Sequence, residues 1–165
     1  MKALKYLSVL LLGLSLSFCT KPPDYPAEPI IEFISISRDT VVQKTINDVV
    51  FVTIGFTDGD GNLIANDTTH SVFVRDPRAD NDFAVKPFGI PEIPEQGANN
   101  GISGEITLRI DEAGGFCCYY ENGQFPCQPS TLQPVDTLIF EIQMEDKDGN
   151  KSNIIETAPI FIFCQ

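Results

Sequence analysis

The sequence predicts an all-β protein: a two-layer antiparallel sandwich of about seven short strands. Two segments alternate cleanly. In 105–111, Ile106, Leu108 and Ile110 take one face and Thr107 and Arg109 the other. In 137–145, Leu138, Phe140, Ile142 and Met144 oppose Glu141, Gln143 and Glu145. That two-residue period is the mark of a half-buried strand, and no window carries a 3.6-residue helical period. Twelve prolines and twelve glycines punctuate the 165 residues, as short strands joined by turns require.

Taken in order, the expected strands are A (30–37), B (49–57), C (71–75), D (83–88), E (105–111), F (137–145) and G (154–164). Strand A is rich in β-branched residues. Strand B, Val-Val-Phe-Val-Thr-Ile-Gly-Phe-Thr, is apolar on both faces and is expected in the middle of a sheet. Strand G is interrupted by Pro159, which cannot donate to a ladder. Successive strands of an antiparallel sandwich alternate in direction. The B–C, D–E and F–G loops then share one end. The A–B, C–D and E–F loops share the other, with the C-terminus.

The N-terminus reads as an export signal. Lys2 and Lys5 precede an apolar run from Leu7 to Leu16, too short to span a bilayer as a helix. It ends in Leu16-Ser17-Phe18-Cys19. Leu16, Ser17 and Cys19 match the lipobox of bacterial lipoproteins, in which the Cys is acylated and becomes the first mature residue; Phe18 departs from its usual small residue. The competing reading is a plain secretory signal. Pro22, Pro23, Pro26 and Pro29 then make 20–29 an extended, stiff tether. The expected organisation is signal 1–18, acylated Cys19 and tether to 29, and sandwich 30–165. Acyl chains on Cys19 would hold the protein on a membrane, the outer membrane or cell surface, with the periplasmic face also open.

The formal charge is −12, and more negative once Lys2 and Lys5 are removed. Such a surface repels phosphate backbones, so nucleic acid is not an expected partner. It suits cations. Asp58-Gly-Asp60-Gly-Asn62, with Asp67 beyond, places oxygen ligands at alternate positions, the chemistry that calcium takes. Leu63 and Thr69 stand where an EF-hand needs Gly and Glu, so the pattern is not an EF-hand. Strand parity brings Asp146 and Asp148 of the F–G turn to the same end. The six residues form a candidate calcium site; the alternative is an ordinary tight turn.

Cys117, Cys118, Cys127 and Cys164 form an even set in an oxidising compartment. The E–F loop, 112–136, is long enough to need constraint, and parity sets it beside the end of strand G. The expected bonds are Cys118–Cys164 and Cys117–Cys127, or the same with 117 and 118 exchanged. Zinc is the competing use, although no C-x2-C pair is present. Phe116, Tyr119, Tyr120 and Phe125 surround these cysteines, either packed over them or exposed for stacking. His70 is the one histidine, and catalytic motifs are missing. Glu112 and Glu121 could pair as a carboxylate dyad for glycoside hydrolysis, but any acidic β protein offers such pairs.

The turn Asp146 to Asn153 resembles the D-x-x-G-N-x-S hairpin between the last two strands of bacterial immunoglobulin-like and fibronectin-III-like modules. With Asp58 to Leu63, Asn100 to Ile106 and Cys117-Cys118, it makes most of the mature chain similar to small bacterial lipoproteins that carry such a domain. The resemblance implies an immunoglobulin-like sandwich outside the cytoplasm. It carries no activity with it. The expected role is a non-catalytic, membrane-anchored envelope module that contacts a protein or glycan. The alternative is a small envelope enzyme or an accessory subunit of one.

Overall fold

The computed structural model describes residues 24–43, 48–63, 71–79, 85–90, 101–111, 116–121, 124–128 and 133–164. Among them there is no helix, and the strands pair almost throughout in antiparallel fashion. The signal, Cys19, Asp67, His70 and Glu112 lie outside the described residues, and so do the side chains of Tyr119, Tyr120, Glu121, Phe125 and Cys127.

One layer is the sheet β1 (Ile30–Ile36), β3 (Val50–Asp58) and β6 (Ile102–Ile110). β3 sits between its neighbours, and all nine of its residues pair with β6. The expected central position of strand B is therefore observed, but its two faces differ. Val50, Val52, Ile54 and Phe56 are buried, while Phe51 stays 45% exposed on the outer face. The β1–β3 register slips between Phe33 and Ser35, a bulge that bends the edge strand.

The other layer is built from β2 (Thr40–Val42), β4 (Val72–Arg75), β5 (Val85–Phe88), β9 (Val135–Leu138), β10 (Glu141–Met144), β11 (Ile155–Glu156) and β12 (Ile160–Phe163), in two separate sheets ordered β11-β10-β4-β5 and β2-β12-β9. Expected strands F and G are each broken once, into β9 and β10 and into β11 and β12. Thr157 marks the break. Its N–H donates to Phe140 O at 2.9 Å, and its hydroxyl accepts from Phe140 N at 3.0 Å. With Pro159 two residues on, the ladder cannot continue in one register. β10 pairs with β4 and β11, and β9 with β12.

Two pieces were not expected. β2 (Thr40–Val42) leaves the first layer and pairs in parallel with β12. β7 (Tyr119–Glu121) and β8 (Gln124–Gln128) form a hairpin inside the E–F segment, which the sequence reads as loop. The signal for β2 is only three residues long, below what periodicity can resolve.

Alternation turns one face of each layer inward. Val52, Ile54, Leu108 and Ile110 of the first layer join Val72, Leu138, Ile142, Met144, Ile160 and Ile162 of the second in one buried cluster. Each such side chain contributes about 1.5–3 kcal/mol on burial. Asn153 closes an exposed stretch of the β1 edge. Its amide donates to Ile31 O and accepts from Ile31 N, both at 2.9 Å. A side chain here takes the place of a further strand.

Candidate functional site

The inward phase of β3 (50, 52, 54, 56) continues to its last residue, Asp58, and buries a carboxylate completely. The B–C turn begins there. Gly59 follows under a tight constraint: a Cβ on it would stand 2.2 Å from Tyr25 O and 2.5 Å from Pro26 O. Its N–H donates to Pro26 O at 2.8 Å. Tyr25 and Pro26 thus lie directly against the acidic turn. Gly61 has φ +67°, the left-handed conformation that glycine adopts without strain.

The F–G turn arrives from the other layer. Asp146 Oδ1 accepts the N–H groups of Asp148 (2.9 Å) and Asn150 (2.8 Å), and Asp146 Oδ2 accepts from Asn150 Nδ2 at 2.8 Å. Gly149, at φ +84°, completes the turn. This local bonding is why D-x-x-G-N folds as it does: Asp binds its own backbone two and four residues ahead.

The two turns meet. Asn62 Nδ2 donates to Asp60 Oδ2 at 3.0 Å and to Asp148 Oδ2 at 2.9 Å, and Lys147 N donates to Asn62 O at 3.4 Å. Carboxylate oxygens of Asp58, Asp60 and Asp146 all lie within 4.8 Å of one another. Five of the six sequence-predicted residues are therefore together; the sixth, Asp67, lies outside the described residues.

The electrostatics are unbalanced. Neither carboxylate oxygen of Asp58 has a hydrogen-bond partner, and neither does the buried Asn62 Oδ1. Among the described ion pairs, none involves Asp58, Asp60, Asp146 or Asp148. Burial, then the Asp60 carboxylate, and more weakly Asp146, push the Asp58 carboxyl up to about 6 from its ordinary 3.8. The Asn62 backbone N–H pulls the other way without reaching hydrogen-bond geometry. Converging oxygens of this kind match the ligand set of a hard divalent cation.

The opposite end is built differently. Cys118 is bonded to Cys164, 46 residues away, which ties the E–F segment to the end of β12. This is the first of the two expected pairings. Cys117 is also disulfide-bonded. Beside it lies a network that the sequence reading missed. Arg78 Nε and Nη2 grip Asp76 Oδ1 and Oδ2 at 2.9 and 2.7 Å. Arg78 Nη1 reaches Asp136 Oδ2 and Nη2 reaches Cys117 O, both at 2.8 Å. The signal was Asp76-Pro77-Arg78 directly after a strand: Asp76 also accepts the Arg78 N–H at 3.0 Å, a local turn that sets the guanidinium back over the carboxylate. Phe116 is buried at this end, as packing over the cysteines requires. Compared with family models, with curated proteins and with solved structures, the chain matches none.

Proposed function

We infer that this chain is a non-catalytic envelope lipoprotein, held to a membrane through Cys19 and presenting an immunoglobulin-like sandwich as a binding or structural module. The strand layout supports the fold: β1-β3-β6 faces two sheets that share the expected strands F and G, β2-β12-β9, with β2 parallel to β12, and β11-β10-β4-β5. In immunoglobulin terms that is A-B-E against A′-G-F-C-C′.

One observation carries the functional reading. The tether joins the sandwich at the acidic end, where Pro26 meets Gly59. Val135, Phe161 and Phe163 lie on the outer face of β9 and β12, with Phe163 and Val135 paired at the far end, and are 38–45% exposed. An anchor at one pole and an exposed apolar patch at the other is the arrangement of a module that holds its contact surface away from the membrane. The partner class is an envelope protein or glycan.

The test is fractionation with intact-mass measurement. Wild type should sediment with membranes and carry acyl mass on Cys19, while Cys19→Ser should appear in the soluble fraction. A Cys19→Ser protein that stays in the membrane, or a wild-type N-terminus without lipid, would overturn the reading. A photo-crosslinking residue at Phe163 should then capture a defined partner that the same residue at Thr53, on the other sheet, does not.

A further inference from the structure

We propose that the B–C and F–G turns form a binding site for a divalent cation of the calcium type, with Asp58, Asp60 and Asp146 as its carboxylate ligands and Asn62 Oδ1 beside them.

Three acidic groups in proximity do not make a site; surface carboxylates cluster freely in an acidic protein. The distinguishing observation is Asp58. It is 0% exposed, and both of its oxygens lack a partner. A buried carboxylate in that state carries the full desolvation penalty with nothing to offset it. Its nearest neighbours deepen the deficit, because oxygens of Asp60 and Asp146 stand within 4.8 Å. A cation seated among these oxygens would supply the missing compensation.

The donor set selects the ion. All the groups are hard oxygens, with no imidazole or thiolate among them, which favours calcium or magnesium over zinc or copper. They come from two turns and include a carboxylate with both oxygens free. Calcium accepts six to eight oxygens at irregular angles and takes carboxylates in bidentate fashion. Magnesium demands a near-ideal octahedron and retains its water. The geometry points to calcium.

Asp146 is already fixed by its own turn, whose three hydrogen bonds orient the carboxylate before any ion arrives. Asn62 spans the two turns through its Nδ2, which leaves Oδ1, with the two of Asp58, as a third buried oxygen without a hydrogen-bond partner. The ligands are therefore preorganised, and the ion would add a bond between the two layers at the end where no disulfide is described.

Terbium and calcium serve as probes. The chain has no tryptophan. Tyr25 lies close to Asp58: its Cδ2 and the Asp58 carbonyl are 2.9 and 2.8 Å from one point, the Cβ that Gly101 lacks. Terbium chloride should give tyrosine-sensitised emission that calcium chloride displaces, and Tyr25→Phe should dim the emission without changing the affinity. Calcium chloride at about 5 mM, above the roughly 0.1–1 mM dissociation constants of extracellular calcium modules, should raise the melting temperature by several degrees over chelator. Asp60→Asn, at an exposed position, should fold normally and bind at least tenfold more weakly. Asp58→Asn should lose the response and, in chelator, melt above wild type. The proposal is overturned if wild type melts at one temperature in calcium, magnesium and chelator with no sensitised emission. It is also overturned if the calcium shift persists undiminished in both Asp variants, since general charge screening then explains it.

Discussion

Each end of the sandwich buries an aspartate where a strand stops, and the two are treated in opposite ways. Asp76, just past β4, is 3% exposed and gripped by Arg78 through two charge-assisted bonds. Asp58, at the end of β3, is 0% exposed and has no partner. One pole carries its own counter-cation on the chain, with a disulfide beside it. The other pole gathers carboxylates from both layers, and its one described ion pair, Lys151 with Glu145, leaves Asp58, Asp60 and Asp146 out. A buried charge has to be matched by something; the first pole matches it within the chain, and at the second the proposed cation would do so.

The largest expected effect comes from removing the internal cation. Arg78→Ala leaves Asp76 buried and unpaired and also releases Asp136 and the Cys117 carbonyl. It should cost about 3–5 kcal/mol in chemical denaturation. A loss below about 1 kcal/mol, in the range of an exposed ion pair, would show that the two poles do not differ as described.

The disulfide comes next. Cys118→Ala with Cys164→Ala should destabilise by roughly 2–4 kcal/mol, mainly by enlarging the unfolded ensemble over a 46-residue separation. Because the bond sits at the pole away from the acidic turns, the calcium response should survive in this double variant. Non-reducing peptide mapping of wild type should recover Cys118 joined to Cys164, and we expect Cys117 joined to Cys127.

The smallest effect is in pH. Asp58 faces Asp60 and Asp146, with Asp148 behind Asn62 and the Tyr25 ring nearby. Asp58 ionises near 3.8 when unfolded and near 6 when folded. Between those values the folded state holds the extra proton, so Asp58's contribution is largest at low pH and is lost as pH rises toward 6. In chelator, wild type should lose on the order of 1–2 kcal/mol relative to Asp58→Asn between pH 4 and 7. Calcium should reverse the slope, because protons compete with the ion for the same oxygens. Parallel pH profiles for the two proteins would remove Asp58 from the account.

Much of this architecture was written in the chain as period and parity. Alternation located the inward faces of β6 and of the β9–β10 strand, and Leu138, Phe140, Ile142 and Met144 are all buried. Parity brought Asp58 to Asp146, and Cys118 to Cys164, across long separations. What escaped depended on single contacts. No pattern distinguishes Thr157 as the residue that breaks a hairpin, since its effect lies in two bonds to Phe140. β2 is too short for a period to register. Arg78 appeared as one basic residue in a loop, because its partners at Asp136 and Cys117 become neighbours only after folding. The acidic cluster itself was legible; that Asp58 in it is buried without a hydrogen-bond partner followed from where β3 ends, a boundary that sequence reading places no better than within a few residues.

The parallel pairing of β2 with β12 bears on how the domain carries load. The N-terminal segment leaves at the acidic pole and the C-terminus at the other, so a pull between them runs along the strands. β2 and β12 would then slide past each other in shear, with the bonds of Thr40–Val42 against Phe161–Phe163 strained together and not opened one at a time. The β1–β3 ladder, held at its start by Asn153 on Ile31, is loaded in the same sense. Resistance to extension in such a geometry is set by the rate of unfolding under force, not by the equilibrium stability. The domain would thereby transmit tension through β1, β2 and β12 while its core stayed folded.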